Sequence, residues 1–246
     1  MTQLSALVTG ATRGIGRGIA DHLAGAGYAL TIAARRADAL AAAADELRDL
    51  GAPRVETVAA DMADADAVET VLARHREAYG SLNALVLAAG VGSAAPLEGY
   101  PMRRYDKQLA VNARSAFQLV TGGMDLLRAG AQSEPERASR ILALSSVEGL
   151  YPEEGLAAYG ASKAALIALM QSVNVEVGQH GVTGTAISPA YVDTEMSDWV
   201  ADRVPKESMI RVADVVAVVS MVLAASRTAS FPHIVINRTG ASPYQA

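Results

Sequence analysis

Tyr159 and Lys163 stand four residues apart in the stretch GLAAYGASKAALIAL, residues 155–169, and Lys163 is one of 3 lysines in a chain whose other basic side chains are arginines. On a helix that spacing puts both side chains on one face, with Cβ atoms about 5–6 Å apart. A phenol titrates near 10 and is a poor proton shuttle at neutral pH. A neighbouring ammonium and a helix N-terminus favour the phenolate, and bringing the phenol down to about 7 needs about 4 kcal/mol of differential stabilisation. Such a pair is suited to protonating a carbonyl oxygen, or to accepting the proton of an alcohol in reverse. With 8 tyrosines in 246 residues, chance placement predicts about 0.1 Tyr-xxx-Lys pairs.

A second group of residues points to a phosphate. TGATRGIGRGIA follows the first apolar run and places Gly10, Gly14 and Gly16 at the start of a helix. Glycines there let the backbone approach a diphosphate seated on the helix N-terminus. No Gly-Lys-Ser/Thr follows, so the loop is not a P-loop. At the end of the second apolar run, IAARRADAL puts Ala33 and Ala34 where an acid would hold a ribose hydroxyl, and Arg35 and Arg36 come next. Arginine forks suit a 2′-phosphate, and Arg13 of the glycine loop can reach the same group, so the cofactor expected is NADP(H).

These residues need a scaffold. Short Ala/Val/Ile/Leu runs at 5–10, 28–34, 54–60, 82–90, 139–146, 182–188 and 233–237 read as buried strands. Segments of helical spacing lie between them, near 14–25, 37–50, 64–79, 101–129, 156–178 and 211–226. Continuous apolar strands alternating with helices predict parallel βαβ units. The expected fold is α/β: one doubly wound Rossmann domain over 1–246, a sheet of about seven parallel strands with helices on both faces. The polar segment 129–139 is expected as a surface loop. The segment 189–207 lacks periodicity and lies beyond a strand's carboxyl end, where ligands bind in such sheets, so it is expected to be a substrate lid.

Composition narrows the function. The net charge is −5 with both signs interspersed, which gives no footprint for nucleic acid or for an anionic membrane. The chain has no cysteine, which removes thiol catalysis and disulfides and suits a reducing cytoplasm. His22, His75, His180 and His233 are scattered, and no metal site is expected. The N-terminus does not read as a signal peptide, and no apolar run is long enough for a membrane span.

Taken together, the chain resembles the short-chain dehydrogenases/reductases. Thr9-Gly10-xxx-Gly14-x-Gly16 is similar to the loop of the shorter-chain branch, and Asp61-Met62 to the pair that contacts adenine. The resemblance implies a catalytic set of Asn112, Ser146, Tyr159 and Lys163, with Ser146, thirteen residues before Tyr159, preferred over Ser145. It implies that Tyr159 passes the proton, Ser146 bonds the same oxygen, Lys163 holds ribose hydroxyls and Asn112 positions Lys163 or a relay water. The positive ring of the oxidised cofactor would further favour the phenolate. Cofactor contacts are expected from Gly10, Thr12, Arg13, Gly14, Ile15, Gly16, Arg35, Arg36, Asp61, Met62, Ala89, Gly90, Tyr159, Lys163, Pro189, Val192 and Thr194. Substrate candidates are Ser93, Tyr151, Tyr191, Met196 and Trp199, with Glu153 and Glu154 beside them.

The expected activity is NADPH-dependent reduction of a small to medium carbonyl compound, or the reverse alcohol oxidation, in a homodimer or homotetramer. A nucleotide-binding sensor and a nucleotide-dependent transferase on a similar sheet are the competing readings. Three departures from the family pattern stand out. Leu87-Ala88-Ala89-Gly90 replaces Asn-Asn-Ala-Gly and removes polar groups that steady the strand ends. Pro189-Ala190 replaces Pro-Gly, and NRTGAS (237–242) replaces a C-terminal Asp-Gly-Gly.

Overall fold

The computed structural model describes residues 3–241. Seven parallel strands form one sheet in the order β3-β2-β1-β4-β5-β6-β7, where β1 is Ser5–Thr9, β2 Ala29–Ala34, β3 Val55–Ala59, β4 Ala84–Leu87, β5 Ser139–Leu144, β6 Val182–Pro189 and β7 His233–Ile236. Alternate residues of each strand point to opposite faces. Ala6, Val8, Leu30, Ile32, Ala84, Val86, Leu142 and Leu144 join one core, against α1 (Gly14–Gly25), α2 (Ala37–Asp49) and α8 (Val212–Ala224). Leu7, Ala33, Leu85, Leu87, Ile141 and Ala143 join the other, against α3 (Ala65–Tyr79), α5 (Ser115–Gly122), α6 (Met124–Ser133) and α7 (Ala157–Val177). Strands buried on both faces explain why their sequences are uniformly apolar rather than alternating.

The chain reverses its winding between β1 and β4, which pair in register through Thr9↔Leu87, while Thr9↔Ala33 closes the other side. This switch point opens a crevice beyond the carboxyl ends of the strands.

Two expectations about helices are corrected. The segment 101–129 is not one helix: α4 (Met102–Leu109) passes through a π-helical turn at Ala110–Arg114 into α5 and stops at Gly122-Gly123. Asn112 lies in this π segment and is buried, and such turns are frequent at functional sites. Helix α6 then runs to Ser133, so the first part of the expected loop 129–139, residues 129–133, is helical, its polar residues lying on the solvated side while Leu126, Leu127, Gly130 and Ala131 are buried. A single-turn 3-10 segment, 147–149, follows β5, and two more, 195–200 and 206–208, interrupt 189–207.

At the amino end of the sheet, Arg140 is 1% exposed. Its guanidinium donates to the carbonyls of Ala225, Ser226 and Ala229 and to Thr183 Oγ1, all within 2.7–2.9 Å. It pins the α8–β7 connection beneath β5 and β6. On the far side, His75 is fully buried; its Nε2 donates to the Ser81 carbonyl at 3.0 Å, which leaves Nδ1 to accept from Thr31 Oγ1 at 2.9 Å. Among the described residues no helix is long and apolar enough to cross a membrane, and no cluster of three or more His, Cys, Asp or Glu could hold a metal ion.

Candidate active site

Beyond the carboxyl end of β1, Gly10 (φ +69°) and Gly14 (φ +56°) adopt left-handed conformations that side-chain-bearing residues avoid. A methyl on Gly10 would lie 2.9 Å from the Ala88 carbonyl oxygen, and one on Gly16 would lie 2.4 Å from the Gly10 carbonyl oxygen. The loop therefore folds tightly on itself and onto β4. No side chain caps α1, so the N–H groups of its first turn point outward unsatisfied. Thr12 and Arg13 sit at the rim, and Ile15 packs inward against the core. This cradle fits a diphosphate.

Ala88, where the family pattern has Asn, is held through its backbone from the neighbouring strand. Thr9 Oγ1 accepts from both the Ala88 and Ala89 amides at 3.1 Å and donates to the Val86 carbonyl at 3.3 Å. A β1 hydroxyl thus joins the ends of β1 and β4.

The three arginines fare differently. Arg13 forms an ion pair with Glu195 of the segment 189–207. Arg36 donates Nε to Asp38 at 3.1 Å, and that pairing holds the Asp38 carboxyl down at about 2. Arg35 is exposed and makes no hydrogen bond or ion pair among the described residues. Asp61 is exposed, with Oδ1 accepting from the Ala63 amide at 2.9 Å, whereas Met62 is buried in the core beneath it.

The four residues of the expected catalytic set converge. Lys163 Nζ lies 5.5 Å from the Tyr159 ring centroid. The Ser146 hydroxyl faces the Tyr159 phenol, whose titration it lowers, and accepts from the Glu148 amide at 3.2 Å. A methyl on Gly90 would be 3.5 Å from Lys163 Nζ and 3.6 Å from Asn112 Oδ1, so all three crowd the end of β4, with Ala89 alongside. Ser145, the serine set aside, donates into the core to the Lys163 carbonyl at 2.8 Å.

Two details correct the sequence reading. Burial pushes the Tyr159 phenol up to about 12, with the Glu148 charge adding to the rise and the Ser146 hydroxyl opposing it. Desolvation outweighs the expected lowering because Lys163, itself buried, is brought down to about 8 and directs Nζ to the Leu144 carbonyl at 2.6 Å. Asn112 does not bond Lys163: its Nδ2 donates to the Val91 carbonyl and to Ser162 Oγ, and its Oδ1 accepts the Val91 amide, each at 2.9 Å. It braces the segment after β4 against the second turn of α7.

Segment 189–207 lies over this crevice. Pro189 ends β6, Val192 is buried and bridges Ile210, and Thr194 places its methyl against Gly14. Tyr191 donates to Glu153 Oε2 at 2.7 Å, and Arg203 Nη2 donates to Glu153 Oε1 at 3.0 Å. Trp199, 54% exposed, packs edge-on to Tyr191 with the Arg203 guanidinium over its ring. Met196 and Glu154 are exposed, Tyr151 is half-buried, and Ser93 Oγ lies 3.2 Å from the Tyr100 hydroxyl, which also accepts from Gln108 at 2.7 Å. Sequence reasoning passed over Gln108, Arg203 and Glu148. Glu148 alone carried a signal: it is the one charged residue in the run ILALSSVEGL.

Comparison with known proteins places this geometry. A family model described as short chain dehydrogenase matches residues 5–204. The 3-oxoacyl-(acyl-carrier-protein) reductase FabG of Staphylococcus aureus (strain Mu50) is 34% identical over 208 residues, 84% of this chain and 81% of the reductase. A short chain dehydrogenase from Burkholderia cenocepacia J2315 in complex with NADP superposes with a TM-score of 0.83 at 30% identity, over 97% of each chain. The Pseudomonas aeruginosa RhlG/NADP active-site complex gives a TM-score of 0.86 at 27% identity, over 96% of this chain and 95% of that one.

Proposed function

The chain belongs to the short-chain dehydrogenase family, and on that footing we propose that it reduces the carbonyl of a small to medium organic substrate with NADPH, and oxidises the alcohol in reverse. The observation that carries this reading is the convergence of Ser146, Tyr159 and Lys163 at the switch-point crevice, beside a glycine cradle and the unengaged Arg35.

NADPH, when bound, supplies the hydride. The chain's residues do the rest. The α1 N-terminus and its glycines hold the diphosphate, and Arg35 receives the 2′-phosphate in the absence of an acid at position 34. Asp61, Met62, Gly90 and the stretch Pro189 to Thr194 line the remainder of the cofactor. Ser146 donates a hydrogen bond to the substrate oxygen, which orients the carbonyl and supports the charge that develops on it. Tyr159 then gives its proton to that oxygen. A phenol near 12 is fully protonated at neutral pH, which is the form that reduction needs. Oxidation needs the opposite form, and the Lys163 ammonium is the group that favours it. Tyr191, Met196 and Trp199 form a lid over the substrate.

NADP complexes of related chains support the cofactor. The absence of cysteine agrees with a cytoplasmic enzyme, and Phe117 and Val175, 58% and 85% exposed, give α5 and α7 apolar surface for a homo-oligomer. Parallel titrations of NADPH and NADH, followed by nicotinamide fluorescence, test the proposal. At least tenfold tighter NADPH binding, followed by NADPH-dependent reduction of members of a carbonyl panel, is the expected result. Failure to bind either nucleotide overturns it.

A further inference from the structure

One carboxyl group beside the site has no part in the reaction just described. Glu148 lies two residues after Ser146, in the turn 147–149, and is 6% exposed. Its Oε2 accepts from the Glu153 amide at 3.0 Å, while Oε1 is buried without a hydrogen-bond partner among the described residues. The placement is built rather than slack. A methyl on Gly160 would meet the Glu148 carbonyl oxygen at 2.7 Å, and one on Gly149 the Ala164 amide at 2.9 Å, so this turn is pressed onto α7. The Glu153 amide that holds Oε2 belongs to the residue whose carboxylate accepts from the Tyr191 hydroxyl at 2.7 Å, so the Glu148 carboxyl lies next to the segment after β6, and its charge acts on both Tyr159 and Tyr191.

No cation among the described residues answers it. Lys163 is spent on the Leu144 carbonyl, and Arg203 on Glu153. The facing groups are Glu153 from its own loop, Tyr159 from α7 and Tyr191 from the segment after β6. Burial together with the Glu153 charge holds the Glu148 carboxyl up at about 7. A buried acceptor with no donor is costly and is retained where a ligand supplies the donor.

We propose that Glu148 is a specificity-determining residue, its free oxygen accepting a hydrogen bond from a hydroxyl or ammonium group that the substrate carries near its reacting carbonyl. The preferred substrates are then hydroxy- or amino-carbonyl compounds, and keto acids are disfavoured by two neighbouring carboxyls. This rests on the carbonyl reductase reading. The carbonyl carbon gains the hydride and its oxygen gains the Tyr159 proton, NADPH leaves as NADP+, and the donor group is unchanged.

The test compares kcat/KM with NADPH for an α-hydroxy ketone, an α-amino ketone and the unsubstituted ketone of the same skeleton. Wild type is expected to favour a donor-bearing ketone at least tenfold, mainly through KM. In Glu148→Leu that ratio collapses toward one, and Glu148→Ala serves if melting shows the leucine variant unfolded. Glu148→Gln separates the two donors: a hydroxyl preference persists on the remaining acceptor oxygen, and an ammonium preference is lost with the charge. No donor preference in wild type, or an unchanged ratio in a folded Leu or Ala variant, overturns the inference while leaving the reductase standing. Turnover of none of the carbonyls, with NADPH bound, overturns both.

Discussion

Lys163 holds its ammonium 5.5 Å from the centroid of the Tyr159 ring and 2.6 Å from the Leu144 carbonyl. Buried there, it gives up its proton near 8 rather than in the usual lysine range. It is charged below that pH and neutral above it. As Tyr159 gives up its proton during reduction, the ammonium supports the phenolate that develops, so in the free enzyme kcat/KM for reduction is expected to fall as pH rises through about 8. A pH–rate profile checks this; a flat profile from 7 to 9 would remove the ammonium from the mechanism.

Replacing Tyr159 by phenylalanine removes the proton donor and little else. Turnover should fall by about 10²–10⁴-fold, the usual worth of general acid catalysis, while the NADPH dissociation constant stays within a few fold. Steady-state assays together with fluorescence titration measure both.

Cofactor selectivity should rest on one arginine more than on its neighbour. Arg35→Ala is expected to weaken NADPH binding about tenfold, about 1.4 kcal/mol, and to leave NADH binding unchanged. Arg36 is already paired with Asp38, so Arg36→Ala should cost less. Equal effects of the two substitutions would argue against this division.

The glycine loop, the arginines and the Tyr159–Lys163 pair were legible in the sequence because each is local: a run, a strand end, one helical spacing. What escaped depended on contacts distant in sequence. Nothing in the spacing reveals that Thr9 bonds the Ala88 and Ala89 amides, 79 and 80 residues away, or that Asn112 faces Val91 and Ser162 rather than Lys163. The direction of the Tyr159 shift was misjudged for the same reason. Charges can be listed from a sequence, but the burial that outweighs them cannot. The break in 101–129 was visible as Gly122-Gly123, though the π turn at 110–114 had no comparable signal.

Stability should show two opposed titrations. His75 is brought down from 6.5 to about 4 by burial, so its stabilisation is present above 6.5 and lost as pH falls toward 4. Glu148 is raised from 4.5 to about 7, so its contribution is present below 4.5 and lost as pH rises toward 7. Each amounts to about 3 kcal/mol at most, and between pH 4.5 and 6.5 they cancel. Glu148→Gln should unmask the histidine: urea denaturation should then show stability rising with pH across that window, by up to about 1.4 kcal/mol per pH unit. A wild-type slope of that size, unchanged in the variant, would contradict the assignment.

Arg140 and Ser146 stand at opposite ends of β5. The arginine is neutralised by carbonyl dipoles and a hydroxyl instead of a carboxylate, so no partner beneath it can be switched off by acid or stripped by salt. Six residues along, the same strand delivers its chain to Ser146, Glu148, Tyr159 and Lys163, three of which change charge at accessible pH or during turnover. The sheet thus works as an electrical insulator between a foundation of constant charge and a working end whose charge is free to vary. Substitutions that retune the chemistry at the top need not be matched by any at the base.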